Sequence, residues 1–149
     1  MIEGLSHMTF VVRDLERMTA IMTDVLGARE IYASGDETFS RSREKFFDLA
    51  GLWIAVMEGD ALPGRSYNHI AFKISENDFD DYVARIAQAD LEFEPPRARV
   101  DGEGRSIYFY DHDNHLFELH TGTLAERLAR YGRGSSDRPA APSQGRPQQ

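Results

Sequence analysis

The sequence predicts an α+β fold built from two paired βαβββ modules, spanning about residues 4–60 and 65–122. Three observations carry that expectation. Residues 5–12 and 67–74 alternate apolar and polar side chains with the period of a half-buried strand. Each is followed by a segment of helical spacing behind a capping side chain, Asp14 or Ser75. His7 in Ser-His-Met-Thr-Phe and His69 in Asn-His-Ile-Ala-Phe hold the same place in the two halves, 62 residues apart, as an internal duplication would leave them.

Taken in order, residues 5–12 put Met8, Phe10 and Val12 on one face and His7, Thr9 and Val11 on the other. The Asp14 carboxylate can accept the free N–H groups of a first helical turn, and Leu15, Met18, Ile21, Met22, Val25 and Leu26 then recur with helical spacing. Gly27 supplies the stop. A strand over 29–33, a polar turn over 34–37, and strands around 38–49 and 52–57 complete the first module. In the second, Ile70, Phe72 and Ile74 lie opposite Tyr67, His69, Ala71 and Lys73. Ser75 precedes a helix carrying Phe79, Tyr82, Val83, Ile86 and Ala87, which cannot continue through Pro95-Pro96. Strands over 106–110 and 116–120, joined by the turn Asp111-His112-Asp113-Asn114, close the module.

The 149 residues include 17 basic and 25 acidic side chains, a net charge of −8, and long-range repulsion therefore argues against a nucleic-acid or anionic membrane partner. The chain has no cysteine, so disulfides, zinc–cysteine sites and a cysteine nucleophile are ruled out, in keeping with a cytoplasmic protein. Its longest apolar run, residues 52–57, is too short to cross a bilayer, and Met1-Ile2-Glu3-Gly4 does not open a signal segment. Residues 132–149 hold three each of Gly, Pro, Ser, Gln and Arg and almost nothing apolar, so they read as a disordered tail behind a folded domain of residues 1–131.

His7, His69 and Glu118 each sit mid-strand, opposite the apolar residues that would pack under a helix. A lone strand histidine is ordinarily solvated or satisfied in the core, but a pseudo-twofold axis brings equivalent histidines together. With Glu118 they make a facial set of two histidines and one carboxylate, leaving coordination positions open for substrate. Divalent Mn, Fe and Zn all suit such donors, and ligand type alone does not choose among them. On pattern alone, Ser106, Tyr108 and Tyr110 are ordinary polar strand residues and Arg127 lies on a solvated helix face. By the same reading Glu44, within Arg41-Ser42-Arg43-Glu44-Lys45, is an exposed, ion-paired edge.

Four strings, in this order and at this spacing, resemble the vicinal oxygen chelate superfamily and, within it, the fosfomycin resistance proteins. They are Ser6-His7-Met8-Thr9, Tyr67-Asn68-His69-Ile70-Ala71-Phe72, Gly102-Glu103-Gly104-Arg105-Ser106-Ile107-Tyr108-Phe109-Tyr110 and Leu116-Phe117-Glu118-Leu119-His120. Ser42-Arg43-Glu44-Lys45-Phe46-Phe47 with Gly51-Leu52-Trp53 looks most like the hydrolytic branch, and the likeness covers residues 2–131.

The resemblance implies a homodimer in which Mn(II) is held by His7, His69 and Glu118, inside a cup closed by strands of both chains. The substrate it implies is fosfomycin, a small epoxide bearing a phosphonate. Tyr67, Ser106, Tyr108 and Arg127 would surround the phosphonate, and Thr9 would lie beside the oxirane. Arg97 and Arg99 stand where the glutathione-dependent branch has a lysine. Gly102 replaces a serine of that branch's potassium loop. Glu44 takes the part of general base toward water. The alternatives are a thiol transferase opening the same ring and a non-catalytic drug-binding dimer, against which the retention of all three ligands speaks.

Overall fold

The computed structural model describes residues 1–94 and 103–136. Pro95-Pro96, Arg97, Arg99, Gly102 and residues 137–149 lie outside the described residues. The order is β1 (His7–Val12), α1 (Leu15–Ala20), β2 (Arg29–Ala33), β3 (Glu44–Leu49), β4 (Leu52–Glu58), β5 (His69–Lys73), α2 (Phe79–Gln88), β6 (Ser106–Tyr110), β7 (Leu116–His120) and α3 (Leu124–Ser136). Helix α1 continues into a wider π-type turn over Ile21–Val25, and a 3₁₀ turn over Glu76–Asp78 leads into α2.

Both expected caps form. The Asp14 carboxylate accepts from the N–H groups of Glu16 and Arg17 at 2.9 and 3.0 Å, and the Ser75 hydroxyl accepts from Asn77 N–H at 3.2 Å. Gly27 takes φ +73°, a left-handed conformation that ends the first helix at little steric cost.

The strands form two sheets, in the orders β1-β4-β3-β2 and β5-β7-β6. Strand β1 runs parallel to β4, and β5 runs parallel to β7, so each histidine-bearing strand sits at the edge of its sheet in an equivalent place. Where the first module has β2, the described residues of the second show a bridge of Phe93 to Phe109, with Glu94 N–H donating to Tyr108 O at 3.0 Å and Tyr110 N–H donating to Glu92 O at 3.1 Å. Strand β3 begins at Glu44 rather than near residue 38, because the polar stretch Ser40-Arg41-Ser42 has no apolar face to set against the helix.

One core joins the modules: Phe10 of β1 lies 5.2 Å from Phe117 of β7, ring centre to ring centre, amid buried Met22, Phe47, Phe79 and Phe109. Helix α3 runs through Ser136, so the opening of the segment expected to be a disordered tail is helical. Gly132 and Gly134 cost a helix only about 1 kcal/mol each, and the first proline beyond them is Pro139. Among the described residues no helix is long and apolar enough to cross a membrane.

Several surface carboxylates are held below their ordinary range by hydrogen bonds. The Gly51 N–H and then Arg29 act on Asp48, Arg43 acts on Glu58, Arg65 on Glu92, and Thr123 on Glu126. A carboxylate whose folded-state pKa is depressed contributes stability that is complete above its unfolded value and is lost as pH falls through the folded one. The urea midpoint is therefore expected to hold near neutrality and to drop below about pH 4. A midpoint unchanged between neutrality and pH 3 would show that these contacts do not form in solution. Glu92 and Glu126 are exposed and Asp48 and Glu58 half-buried, so solvent screens each pair and the effect is a sum of small parts.

Candidate metal centre

The register of the second sheet decides which side chains meet. Ala71, Glu118 and Tyr108 form one row across β5, β7 and β6, and Lys73, His120 and Ser106 form the next, with every one of these side chains on the same face as His69. Glu118 is only 5% exposed in the middle of this face, and its Oε2 lies 3.0 Å from His69 Nε2. The other ring nitrogen, Nδ1, is 2.8 Å from the Tyr67 carbonyl oxygen. A carbonyl can only accept, so Nδ1 carries a proton, and Nε2 of the ring without a second proton presents a lone pair toward the carboxylate. Two acceptors at that distance are stable together only with a cation or a proton between them. This donor pair, with its imidazole oriented from behind by a backbone carbonyl, fits a divalent metal ion.

His7 stands elsewhere. It is exposed on β1, with its Nδ1 3.2 Å from Ser6 Oγ and its ring tilted by 36° against that of Trp53, its register partner in β4, at 4.4 Å between centres. Among the described residues no three His, Asp or Glu side chains of one chain converge to hold a metal. A single chain therefore joins two of the three expected ligands and keeps the third on the other sheet.

Around the His69–Glu118 pair, the Ser106 hydroxyl lies 2.6 Å from Glu118 Oε1 and 2.8 Å from His120 Nδ1. The Tyr67 and Tyr108 hydroxyls are 3.4 Å apart, and the two phenol rings flank His69 at 5.0 and 5.5 Å. Burial, the Tyr67 hydrogen bond and the Glu118 carboxylate push the Tyr108 phenol well above its ordinary pKa, so it remains a neutral donor at any working pH. A cleft of about 420 Å³ opens beside Tyr67 and Tyr108, walled also by Arg65, Tyr110, Leu116 and the carboxylates Glu92 and Glu94.

Thr9 and Glu44 belong to the first sheet. Thr9 pairs in register with Ala55, and Val11 with Met57, which in turn pairs with Glu44, so both share the His7 face. Glu44 is buried at 8% exposure, unlike the exposed edge that its charged neighbours suggest. Those neighbours take other partners: Arg43 grips Glu58 at 2.6 and 2.9 Å, and Lys45 binds Glu16 and Glu30 at 2.9 and 3.2 Å. Among the described residues the Glu44 carboxylate is left without an ion-pair partner. Arg127 lies exposed on α3, and among the described residues it makes no hydrogen bond to the Tyr67–Tyr108 pair.

Sequence reasoning assigned no role to His120, although its position two residues beyond Glu118 in a strand places it on the same face. It also passed over Trp53 as the ring on which His7 rests.

The chain matches the Glyoxalase/Bleomycin resistance protein/Dioxygenase superfamily over residues 4–119. It is 66% identical over 134 residues to the fosfomycin resistance protein FosX of Mesorhizobium japonicum, covering 90% of this chain and 96% of that one. It is 37% identical over 142 residues to the metallothiol transferase FosB of Shouchella clausii, covering 92% of each. A FosX variant from Listeria monocytogenes, solved with Mn(II) and 1S,2S-dihydroxypropylphosphonic acid, superposes with a TM-score of 0.79 at 56% identity, covering 88% of this chain and 99% of that one. Two sheets of βαβββ type, a His69–Glu118 donor pair suited to a divalent cation, and identity of this extent leave one conclusion: the chain belongs to the FosX fosfomycin resistance proteins of the glyoxalase/bleomycin resistance superfamily.

Proposed function

We propose that this protein hydrolyses the epoxide of fosfomycin with Mn(II) as its metal, as a homodimer. The observation that carries the reaction type is the molecule bound to the Listeria FosX variant: a vicinal diol of propylphosphonic acid is what remains when water opens the epoxide of fosfomycin. In this reading His69 and Glu118 of one protomer and His7 of the other hold the metal ion. A divalent cation bound there supplies Lewis acidity toward the oxirane oxygen.

The protein's own groups do the rest. Glu44 takes a proton from the attacking water, whose oxygen forms a bond to one ring carbon as that carbon's C–O bond breaks; the freed oxygen becomes the second hydroxyl by taking up a proton from solvent, and Glu44 returns its own to solvent. The neutral Tyr108 phenol and the Tyr67 hydroxyl donate to the phosphonate, and Arg127 brings a planar pair of donors to the same dianion. Arg97 and Arg99 are further cations for the phosphonate, and Thr9 lies beside the oxirane. Ser106, expected at the phosphonate, serves Glu118 in the single chain and reaches substrate only if its hydroxyl turns.

The test is phosphorus NMR of fosfomycin incubated with Mn(II)-loaded protein, with and without a small thiol. A diol formed at the same rate in both samples is expected. A product that forms only with thiol would place the protein with the transferases. Exhaustive chelation should abolish turnover and Mn(II) should restore it, and Glu118→Gln should weaken metal binding by removing the anionic donor. Undiminished turnover in chelated protein would refute the metal's role.

A further inference from the structure

We propose that His120 is a positioning residue for the metal site, acting through Ser106 on Glu118; the proposal rests on Glu118 being a ligand, as above. Ser106 Oγ stands between Glu118 Oε1 at 2.6 Å and His120 Nδ1 at 2.8 Å. A serine hydroxyl has one proton, and a carboxylate only accepts, so that proton belongs to Glu118. His120 Nδ1 must then be the nitrogen that carries hydrogen, donating it to the Ser106 oxygen. The opposite arrangement, with Ser106 donating to His120, would leave the serine oxygen and the Glu118 oxygen 2.6 Å apart with no hydrogen between them.

The order of donation is thus single-valued: His120 Nδ1–H to Ser106 Oγ, and Ser106 O–H to Glu118 Oε1. One carboxylate oxygen is tied down by this chain, and the other, Oε2, is left directed at His69 Nε2. The site is built to keep the ring in place. The His120 side chain is 16% exposed, and a Cβ at position 122 would fall 2.6 Å from its Nε2, so Gly122 leaves the ring its room. Its row neighbour Lys73 gives its ammonium hydrogens to the carbonyls of Ile74 and Thr121. The imidazole is therefore a fixed outer support of the kind that commonly tunes metal affinity by a factor of about 10–100.

The experiment compares the parent, His120→Leu and His120→Asn by Mn(II) titration, following the electron paramagnetic resonance signal of the free ion, with thermal melting as the check on folding. His120→Leu is expected to weaken Mn(II) binding by about 10–100-fold. His120→Asn, whose amide places an N–H near the position of Nδ1, should recover most of that loss. Unchanged affinity in folded His120→Leu, or a folded His120→Asn as weak as His120→Leu, would overturn the proposal. A second measurement needs neither metal nor variant: proton–nitrogen-15 NMR of the metal-free parent should show His120 protonated at Nδ1, and a neutral ring protonated at Nε2 would refute the relay. If the parent itself binds no Mn(II), the functional reading and the metal role of His120 fail together, whereas an Nε2-protonated ring in a parent that does bind Mn(II) overturns this proposal alone.

Discussion

Glu44→Gln is expected to keep its grip on Mn(II) and fosfomycin while forming diol roughly 10²–10⁴-fold more slowly than the parent, the usual contribution of a positioned general base. Water is a poor nucleophile at neutral pH, so even an epoxide activated by a Lewis acid opens slowly unless something accepts the proton that water sheds. The acceptor has to lie on the ligand-bearing face, be held in place, and not be neutralised by a neighbouring cation. Glu44 meets each condition: it shares a face with His7 and Thr9, it is buried on β3, and both adjacent cations are taken by other carboxylates. Glutamine keeps the volume and the hydrogen-bonding shape but cannot accept that proton. In oxygen-18 water the parent should place one label in each diol molecule. A Glu44→Gln variant that hydrolyses fosfomycin as fast as the parent would reduce Glu44 to a structural carboxylate and bring the thiol-transferase reading forward.

What the sequence makes legible is whatever a local period or a cap controls. β2, β6 and β7 occupy the residues that alternation assigns to them, and Asp14 and Ser75 cap as their chemistry requires. The face of each candidate residue is legible too, because a strand's period of two fixes it once the apolar side is known. Contact between sheets is not. The spacing of His7 and His69 shows that they are equivalent, but equivalence under a pseudo-twofold does not say whether the two meet within one chain, and here they do not. The burial of Glu44 is hidden for a related reason. A run of alternating charges reads as a solvated edge until the register shows Arg43 and Lys45 turned toward Glu58 and toward Glu16 and Glu30. His120 went unassigned because its effect passes through a serine, and a hydroxyl's allegiance is a matter of distances that no pattern encodes.

The separation of the ligands leads to the second large effect, the rescue of activity by mixing two dead variants. Among the described residues β1 and β5 are both edge strands, each with an unpaired rim and a histidine on its polar face, and a sheet edge left open invites pairing with another chain. If β1 of one protomer lies against β5 of another, His7 reaches the His69–Glu118 pair across the interface, and a twofold-symmetric dimer has two such sites. His7→Ala and Glu118→Gln should each be inactive alone. In a mixed dimer the two defects fall in the same site, and the other site combines the intact His7 of one protomer with the intact His69 and Glu118 of the other. Random reassortment makes half of the dimers mixed, each with one working site of two, so an equal mixture that is unfolded and refolded together should recover about a quarter of the parent's activity. Sedimentation should show every sample as a dimer at micromolar concentration. An active monomer, or a refolded mixture as inactive as its components, would mean that each chain completes its own site and that the interface between protomers plays no part in catalysis.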